Sequence, residues 1–411
     1  MGSILVVGVI LFVGFVFGEL AKFIKLPKVT GYIIAGIILN PDICPVIPFD
    51  FPEHTGLITN IALAFIVFSV GGTLLYSKIK KLGKVILSIT ILEAEFAFIA
   101  VALIFIAVAQ FFLQISAASF INVCIPMGLL VASLAAPTDP SATLAVIHEY
   151  KAKGEVSSTI MGVAAFDDIL GIINYSLAVV AATVLMKHAS LTFNALMIKP
   201  MILIGGSVLL GILFGTILNV TIKLIKRETE GMLIVLIFGL ISLCFGFASL
   251  LKVDELLAVV SMGAVVVNFN PMHVKIFNML ERYTEELIFV LFFTISGMHL
   301  DFSVIANTWP LIVLFVLFRT IGKYLGVAAG GHLSKASSKI KKYVAGGLIP
   351  QGGIVIGLAL LIQQDSNFSS FSDILLNVVI GATVIHELVG PIFAKVSIAK
   401  AGEIKGGGQR P

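Results

Sequence analysis

The chain has 411 residues, of which 58% are hydrophobic and only 12% are charged, with a formal net charge of +4 at pH 7. Soluble domains carry about 25% charged residues, so this composition excludes a soluble enzyme, a disordered protein, a nucleic-acid-binding protein and a disulfide-rich secreted domain. A membrane β-barrel is excluded because the apolar runs are long and unbroken. We therefore expect an all-α polytopic membrane protein.

Apolar runs of roughly twenty residues predict about thirteen transmembrane helices, with inverted repeats and two broken, crossing helices. The first run lacks the basic leader and cleavage site of a signal peptide, so we expect it to remain as a span. The predicted spans are 3–24, 29–41, 57–76, 85–114, 118–147, 156–186, 198–222, 231–251, 255–270, 285–299, 307–333, 342–363 and 373–396.

The basic residues predict the orientation of these spans. If the N-terminus is outside, the loops and tail placed inside hold 22 of the 27 Lys and Arg residues, and the outside loops hold only Lys187, Lys199 and Lys252. Cytoplasmic loops carry such an excess of basic residues. We therefore expect a multi-pass protein of a prokaryotic cell membrane, with the N-terminus outside and the C-terminus cytoplasmic.

Two adjacent carboxylates, Asp167 and Asp168, lie about twelve residues into the sixth span, which places them near the middle of the bilayer. Neighbouring residues on a helix differ by about 100°, so the two side chains have different surroundings. Ionisable groups at this depth are costly and mark a functional site. A carboxylate in a half-solvated cleft can exchange a proton for a monovalent cation.

Prolines predict a break in two of the spans. Pro137 and Pro140 flank Thr138 and Asp139 in the fifth span, where they remove backbone donors and free carbonyl oxygens. Thr138 and Asp139 then become oxygen ligands for a cation such as Na⁺, together with Asp168.

The twelfth span repeats this pattern with Pro350, Gly352 and Gly353. Two interrupted spans in corresponding positions of the two halves point to a transporter whose binding site lies between them.

Two cations, Arg319 and Lys323, lie one turn apart within the eleventh span and are candidates to compensate the charge of Asp167. The sequence leaves open which of them does so. For three further acids within the predicted spans, Glu93, Glu95 and Glu387, we expect pairing between helices rather than ion binding.

These motifs resemble the monovalent cation/proton antiporter superfamily over nearly the whole chain. Residues 26–41 resemble the family's second-helix signature, and residues 292–297 with Asp301 resemble its tenth. Paired aspartates such as Asp167 and Asp168 resemble the electrogenic sodium/proton branch. That resemblance implies that Asp168 binds the ion and the proton, while Asp167 pairs with a cation of the eleventh span.

The sequence also departs from each branch of the family. Thr138-Asp139-Pro140 resembles a motif of the electroneutral branch, and Arg319 stands where the electrogenic branch has lysine. Arginine does not deprotonate in proteins, so the stoichiometry stays open, with a slight preference for electrogenic exchange.

The resemblance further implies a scaffold that forms a homodimer and a mobile core that carries the site. The implied segments are scaffold 1–80 and 230–300, core 82–190 and 305–398, linker 198–226 and cytoplasmic tail 399–411.

We therefore predict a secondary active antiporter that exchanges protons for Na⁺ or another monovalent cation, and not an enzyme. No cofactor is expected, and the expected partners are the cation, the proton, membrane lipid and a second copy of the chain. Potassium/proton exchange and cation-coupled symport of an organic anion are the alternatives. A passive channel and a non-transporting subunit fit paired charges on broken helices less well.

Overall fold

The computed structural model describes residues 3–24, 28–44, 47–48, 51, 55–77, 83–112, 120–139, 143, 146–147, 150–164, 166–186, 199–225, 229–300, 302–351 and 354–404. All regular structure within these residues is helical. The expected all-α class is therefore confirmed.

Sixteen α-helices lie within the described residues. The first eight are α1 Ser3–Phe23, α2 Lys28–Ile38, α3 Gly56–Gly71, α4 Lys84–Phe112, α5 Ile125–Ser133, α6 Glu155–Ala164, α7 Asp167–Met186 and α8 Lys199–Leu224. The others are α9 Glu230–Leu251, α10 Glu255–Phe269, α11 His273–Leu280, α12 Glu286–Met298, α13 Phe302–Leu333, α14 Ser338–Tyr343, α15 Ile354–Gln364 and α16 Ser372–Lys400.

Helical structure lies in each of the thirteen predicted segments, and seven helical stretches of the described residues are long and apolar enough to cross a membrane. The exact number of spans stays a prediction. The segment from 273 to 285, expected as a loop, is helical, because α11 continues through a π-helical turn, Glu281–Glu285, into α12.

The sixth predicted span contains α6 and α7. Helix α6 reaches Ala164, Phe166 lies in a turn, and α7 begins at Asp167, while Ala165 lies outside the described residues. Asp167 and Asp168 are thus the first two residues of α7.

The helices pack in two sets. One set contains α1, α2, α3 and α8 to α12, in which α2 packs on α12 and α10 packs on both α3 and α8. The other contains α4 to α7 and α13 to α16, in which α13 packs along α4 and α16. Contacts between the sets are fewer and join α15 to α3, α7 to α10 and α16 to α2.

A row of glycines brings α13 against α4. Gly322, Gly326 and Gly330 recur every fourth residue, and a Cβ on any of them would come within 2.4–2.7 Å of the α4 backbone. Small residues at this spacing let two membrane helices approach closely. The side chains that project from α13 beside this row are thereby placed directly against α4.

The C-terminal end of the described chain is attached to the start of α6. The Glu403 carboxylate accepts hydrogen bonds from the backbone N–H groups of Val156 at 2.7 Å and Ser157 at 2.8 Å, and from the Ser157 hydroxyl at 2.6 Å. A carboxylate is a strong cap at a helix N-terminus. Residues that follow α16 thus fix the helix that leads into the paired aspartates.

Candidate functional site

The two interrupted helices meet at their breaks. The backbone N–H of Asp139 donates to the carbonyl of Pro350 at 3.1 Å, and the Thr143 hydroxyl donates to the carbonyl of Gly347 at 2.7 Å. The segment after α5 therefore crosses the segment before α15. Pro137 and Pro350 lie at this crossing, while Pro140, Gly352 and Gly353 lie outside the described residues.

Arg319 holds the crossing together. Its guanidinium donates to the carbonyl oxygens of Ala135 at 3.0 Å, Pro137 at 2.7 Å, Ile349 at 2.7 Å and Pro350 at 3.5 Å. These carbonyls have lost their helical partners because the helices break there. The fully buried Arg319 therefore satisfies backbone acceptors from both breaks.

Lys323, one turn further along α13, is the cation that reaches the carboxylates. Its Nζ lies 2.7 Å from Glu93 Oε2 on α4 and 3.6 Å from Asp167 Oδ2, and it also donates to the Ala136 carbonyl at 2.7 Å and the Thr138 hydroxyl at 2.9 Å. Lys323, Glu93 and Asp167 are all fully buried. Of the two candidate cations, Lys323 is the one that forms an ion pair with Asp167 among the described residues, and its role as the charge partner stays a prediction.

Asp167 and Asp168 have different surroundings, as expected from their angular separation. Asp167 accepts a hydrogen bond from the Thr138 hydroxyl and faces Lys323. Asp168 lies close enough to Asp139 for their charges to interact, and its buried Oδ1 has no hydrogen-bond partner among the described residues. Asp167 Oδ1 is likewise buried without a hydrogen-bond partner among the described residues, but Asp167 Oδ2 is engaged by Thr138 and Lys323, so Asp168 is the less engaged of the two aspartates.

Thr138, Asp139, Asp167, Asp168 and Lys323 are brought to one place, and their roles there stay predictions. Sequence reasoning expected Glu93 to pair between helices but could not name its partner, which lies 230 positions away in the chain. The signal that could have found the pair is the combination of two buried, oppositely charged residues on apolar spans.

A fifth carboxyl group extends the site towards α2. Glu387 on α16 is fully buried, its side chain is hydrogen-bonded to Asp139, and it accepts from the Thr30 hydroxyl at 3.5 Å. The neighbouring His386 pairs with the Gln351 side chain at 2.8 Å. The Glu387 contacts join α16 and the crossing to a helix of the other packing set.

A cavity of about 660 Å³ lies where the two sets face each other near the start of α10. Its lining includes Tyr175, Ser176, Asp254, Glu255 and Asp365. The Ser176 hydroxyl on α7 donates to the Asp254 carboxylate at 2.6 Å, and Asp254 also caps α10. Burial raises the pKa of Asp254, while the bonds from Ser176 and the backbone lower it.

One residue that lines this cavity lies on the same helix face as Asp168. Tyr175 follows Asp168 by seven residues, or two helical turns, and is therefore on the same side of α7 about 10 Å away.

Known proteins resemble this chain in sequence and in fold. The family model described as "Sodium/hydrogen exchanger, transmembrane" matches residues 7–397. The ammonium/H(+) antiporter subunit AmhT of Alkalihalophilus pseudofirmus is 23% identical over 382 residues, which cover 91% of this chain and 90% of the relative. The structure of the sodium proton antiporter MjNhaP1 from Methanocaldococcus jannaschii superposes with a TM-score of 0.72 at 21% identity, covering 98% of this chain and 99% of the other.

Proposed function

We propose that this chain, which belongs to the sodium/hydrogen exchanger family, exchanges protons for Na⁺ by binding the two ions in competition at Asp168. Cation/proton antiport follows from the family, and the residues that perform it are our proposal. The observation that carries the proposal is that Asp167 is engaged by Thr138 and Lys323, whereas the neighbouring Asp168 has a buried Oδ1 without a hydrogen-bond partner among the described residues. A carboxylate in that position gains a partner by binding either a proton or a monovalent cation.

The surroundings of Asp168 favour competition over simultaneous binding. Before the cation binds, Asp167 is held by Thr138 and Lys323, so Asp168 is the carboxylate that is left to change partner. Thr138 and Asp139 would add oxygen ligands when the cation binds. Because the same carboxylate binds either a proton or a cation, a cation that binds from one side of the membrane displaces the proton to that side.

The placement of Lys323 favours an electrogenic cycle. Arginine keeps its proton, and Arg319 is engaged with carbonyl oxygens, whereas a buried lysine can release its proton when its partner changes. If cation binding at Asp168 draws Asp167 away from Lys323, the lysine proton can leave. Two protons would then move for each cation.

Alternating access would come from movement of one packing set against the other. We propose that α4 to α7 and α13 to α16 form the mobile core, that α1 to α3 and α9 to α12 form a dimerising scaffold, and that α8 links them. The basic loops favour an outside N-terminus and a cytoplasmic C-terminus. In this orientation the cavity at Ser176 and Asp254 opens to the outside.

Proteoliposomes that contain the purified protein test the proposal. Pulses of Na⁺, Li⁺, K⁺ and NH₄⁺ at fixed pH, read as currents on a solid-supported membrane, report the ion and the charge moved. Asp168→Asn should abolish proton-coupled flux while the protein remains folded, and Asp373→Asn, which makes the same change at an exposed position of α16, should not. Retained flux in Asp168→Asn vesicles would refute the assignment.

The same assay separates the alternatives. A response to K⁺ but not to Na⁺ indicates potassium/proton exchange, and currents that need an organic anion indicate symport. If cation and proton compete, the apparent affinity for the cation must fall as the pH falls.

A further inference from the structure

Glu387 has contacts that pairing between helices does not explain. It is fully buried on α16, and of the ion pairs between described residues none reaches it. Its contacts are Asp139, which is also an acid, and the weakly bonded Thr30 hydroxyl. Glu93, by contrast, has Lys323 as its partner. Glu387 is therefore a buried acid that forms no ion pair with the described residues, and its neighbour Asp139 is itself an acid.

Two polar atoms on the same face of α16 have no partner among the described residues. They are Glu387 Oε1 and Thr383 Oγ1, both in residues that are fully buried. Residues four apart on a helix lie one above the other. A buried carboxylate oxygen and a buried hydroxyl oxygen, both without a donor, are ligands that a hard cation prefers.

The charges around the crossing leave room for such a cation. Five carboxyl groups are connected there, and two buried cations, Arg319 and Lys323, lie among them. Two ionised carboxylates in direct contact repel each other strongly in a medium of low dielectric constant. The hydrogen bond between Asp139 and Glu387 requires a proton on one of the two carboxyl groups, and when that proton leaves, a cation can take its place between them.

We infer that Glu387 and Asp139 together form a second pair of carboxylate ligands for the transported monovalent cation, in addition to Asp168. This inference rests on the proposed function, because it extends the same site. The cation would lie between the broken helices and α16. Thr383 would supply a neutral oxygen ligand, and Asp139 would be shared between Asp168 and Glu387.

This position also connects ion binding to movement. Thr30 belongs to α2, in the packing set that we assign to the scaffold, while Asp139 and Glu387 belong to the core. A cation that draws the Glu387 carboxylate towards Asp139 competes with the 3.5 Å hydrogen bond from Thr30. Cation binding at Glu387 and Asp139 would thus weaken the Thr30–Glu387 hydrogen bond, which joins the scaffold to the core that must move against it.

The test measures binding and transport separately in the full-length protein. Glu387→Gln removes the charge but keeps the shape. Glu95→Gln is the matched control, because Glu95 is a partly exposed acid of α4 that accepts a hydrogen bond from the Asn174 side chain. Thermal unfolding in detergent, with increasing NaCl against choline chloride, reports cation binding. Sodium-driven currents in proteoliposomes at fixed pH give the apparent KM and the maximal rate.

We expect Glu387→Gln to raise the apparent KM for Na⁺ by on the order of tenfold to a hundredfold and to lose the stabilisation by NaCl. Glu95→Gln should keep both at wild-type values. Glu387→Asp, which keeps the charge but withdraws the carboxylate by about 1.5 Å, should bind Na⁺ with intermediate affinity. If the glutamine variant does not fold, the aspartate variant takes its place in the test.

The outcomes keep the two proposals apart. Wild-type currents with an unchanged KM and unchanged stabilisation in either Glu387 variant would overturn this inference and leave the proposed function standing. If the wild type carries no proton-coupled current but is stabilised by NaCl, and Glu387→Gln removes that stabilisation, the antiport assignment at Asp168 fails and the cation site stands.

Discussion

One added methyl group at Gly326 should separate α13 from α4 beside the buried ion pair. A Cβ on Gly326 would lie 2.4 Å from both the Glu93 Cα and the Leu92 carbonyl oxygen, whereas ordinary contact begins at 3.4 Å. Since both of these atoms belong to the backbone, the helices must move apart by about 1 Å. The bond between Lys323 and Glu93, 2.7 Å long, would then exceed the roughly 3.2 Å limit of an N–H···O hydrogen bond.

The energetic cost follows from these changes. Overpacking costs about 1–3 kcal/mol and loss of a charged hydrogen bond about 1.5–3 kcal/mol, while replacing a helical glycine by alanine returns about 1 kcal/mol. Gly326→Ala should therefore destabilise the protein by about 1.5–5 kcal/mol and slow transport. Gly239→Ala in α9 is the control, because nothing lies within 4 Å of its added Cβ. Equal melting temperatures and exchange rates for the two variants would refute this account of the helix contact.

Three further outcomes can be measured. Lys323→Ala should lose the response of cation flux to an imposed membrane potential, while any flux left in Arg319→Ala should keep it; the reverse result would contradict the role given to Lys323. Cysteines in place of Ser176 and Asp254 should stop exchange when oxidised and restore it on reduction, and full activity of the cross-linked protein would mean that this boundary does not move. Glu403→Gln should lower the free energy of unfolding by about 1–2 kcal/mol, with unchanged thermal unfolding as the contrary result.

The sequence was sufficient to predict the helical class and the places where helices break. Apolar runs predict membrane helices because the bilayer requires them, and Pro137 and Pro350 interrupt helices by local chemistry alone. The turn at Phe166 was missed, since neither proline nor glycine lies there to indicate it.

Partners distant in the chain were harder to predict. Arg319 was a candidate partner for Asp167 because a guanidinium suits a carboxylate, yet its donors reach carbonyl oxygens that are exposed only once two breaks cross. Glu403 stands in a tail with no apolar pattern, so nothing in its surroundings indicates that it caps α6. Contacts of this kind depend on how the helices pack against one another. The residue pattern along a single helix does not reveal that packing.

The position of Arg319 has a consequence for the electrical balance of the whole site. Aligned peptide dipoles give the C-terminal end of a helix a partial negative charge, up to roughly half a unit. Arg319 faces two such ends, one after α5 and one after the 3₁₀ turn Val344–Leu348. Much of its positive charge is therefore balanced by backbone dipoles. The carboxylates are left with Lys323 as their near counter-charge, so the site attracts cations from solution even though an arginine lies at its centre.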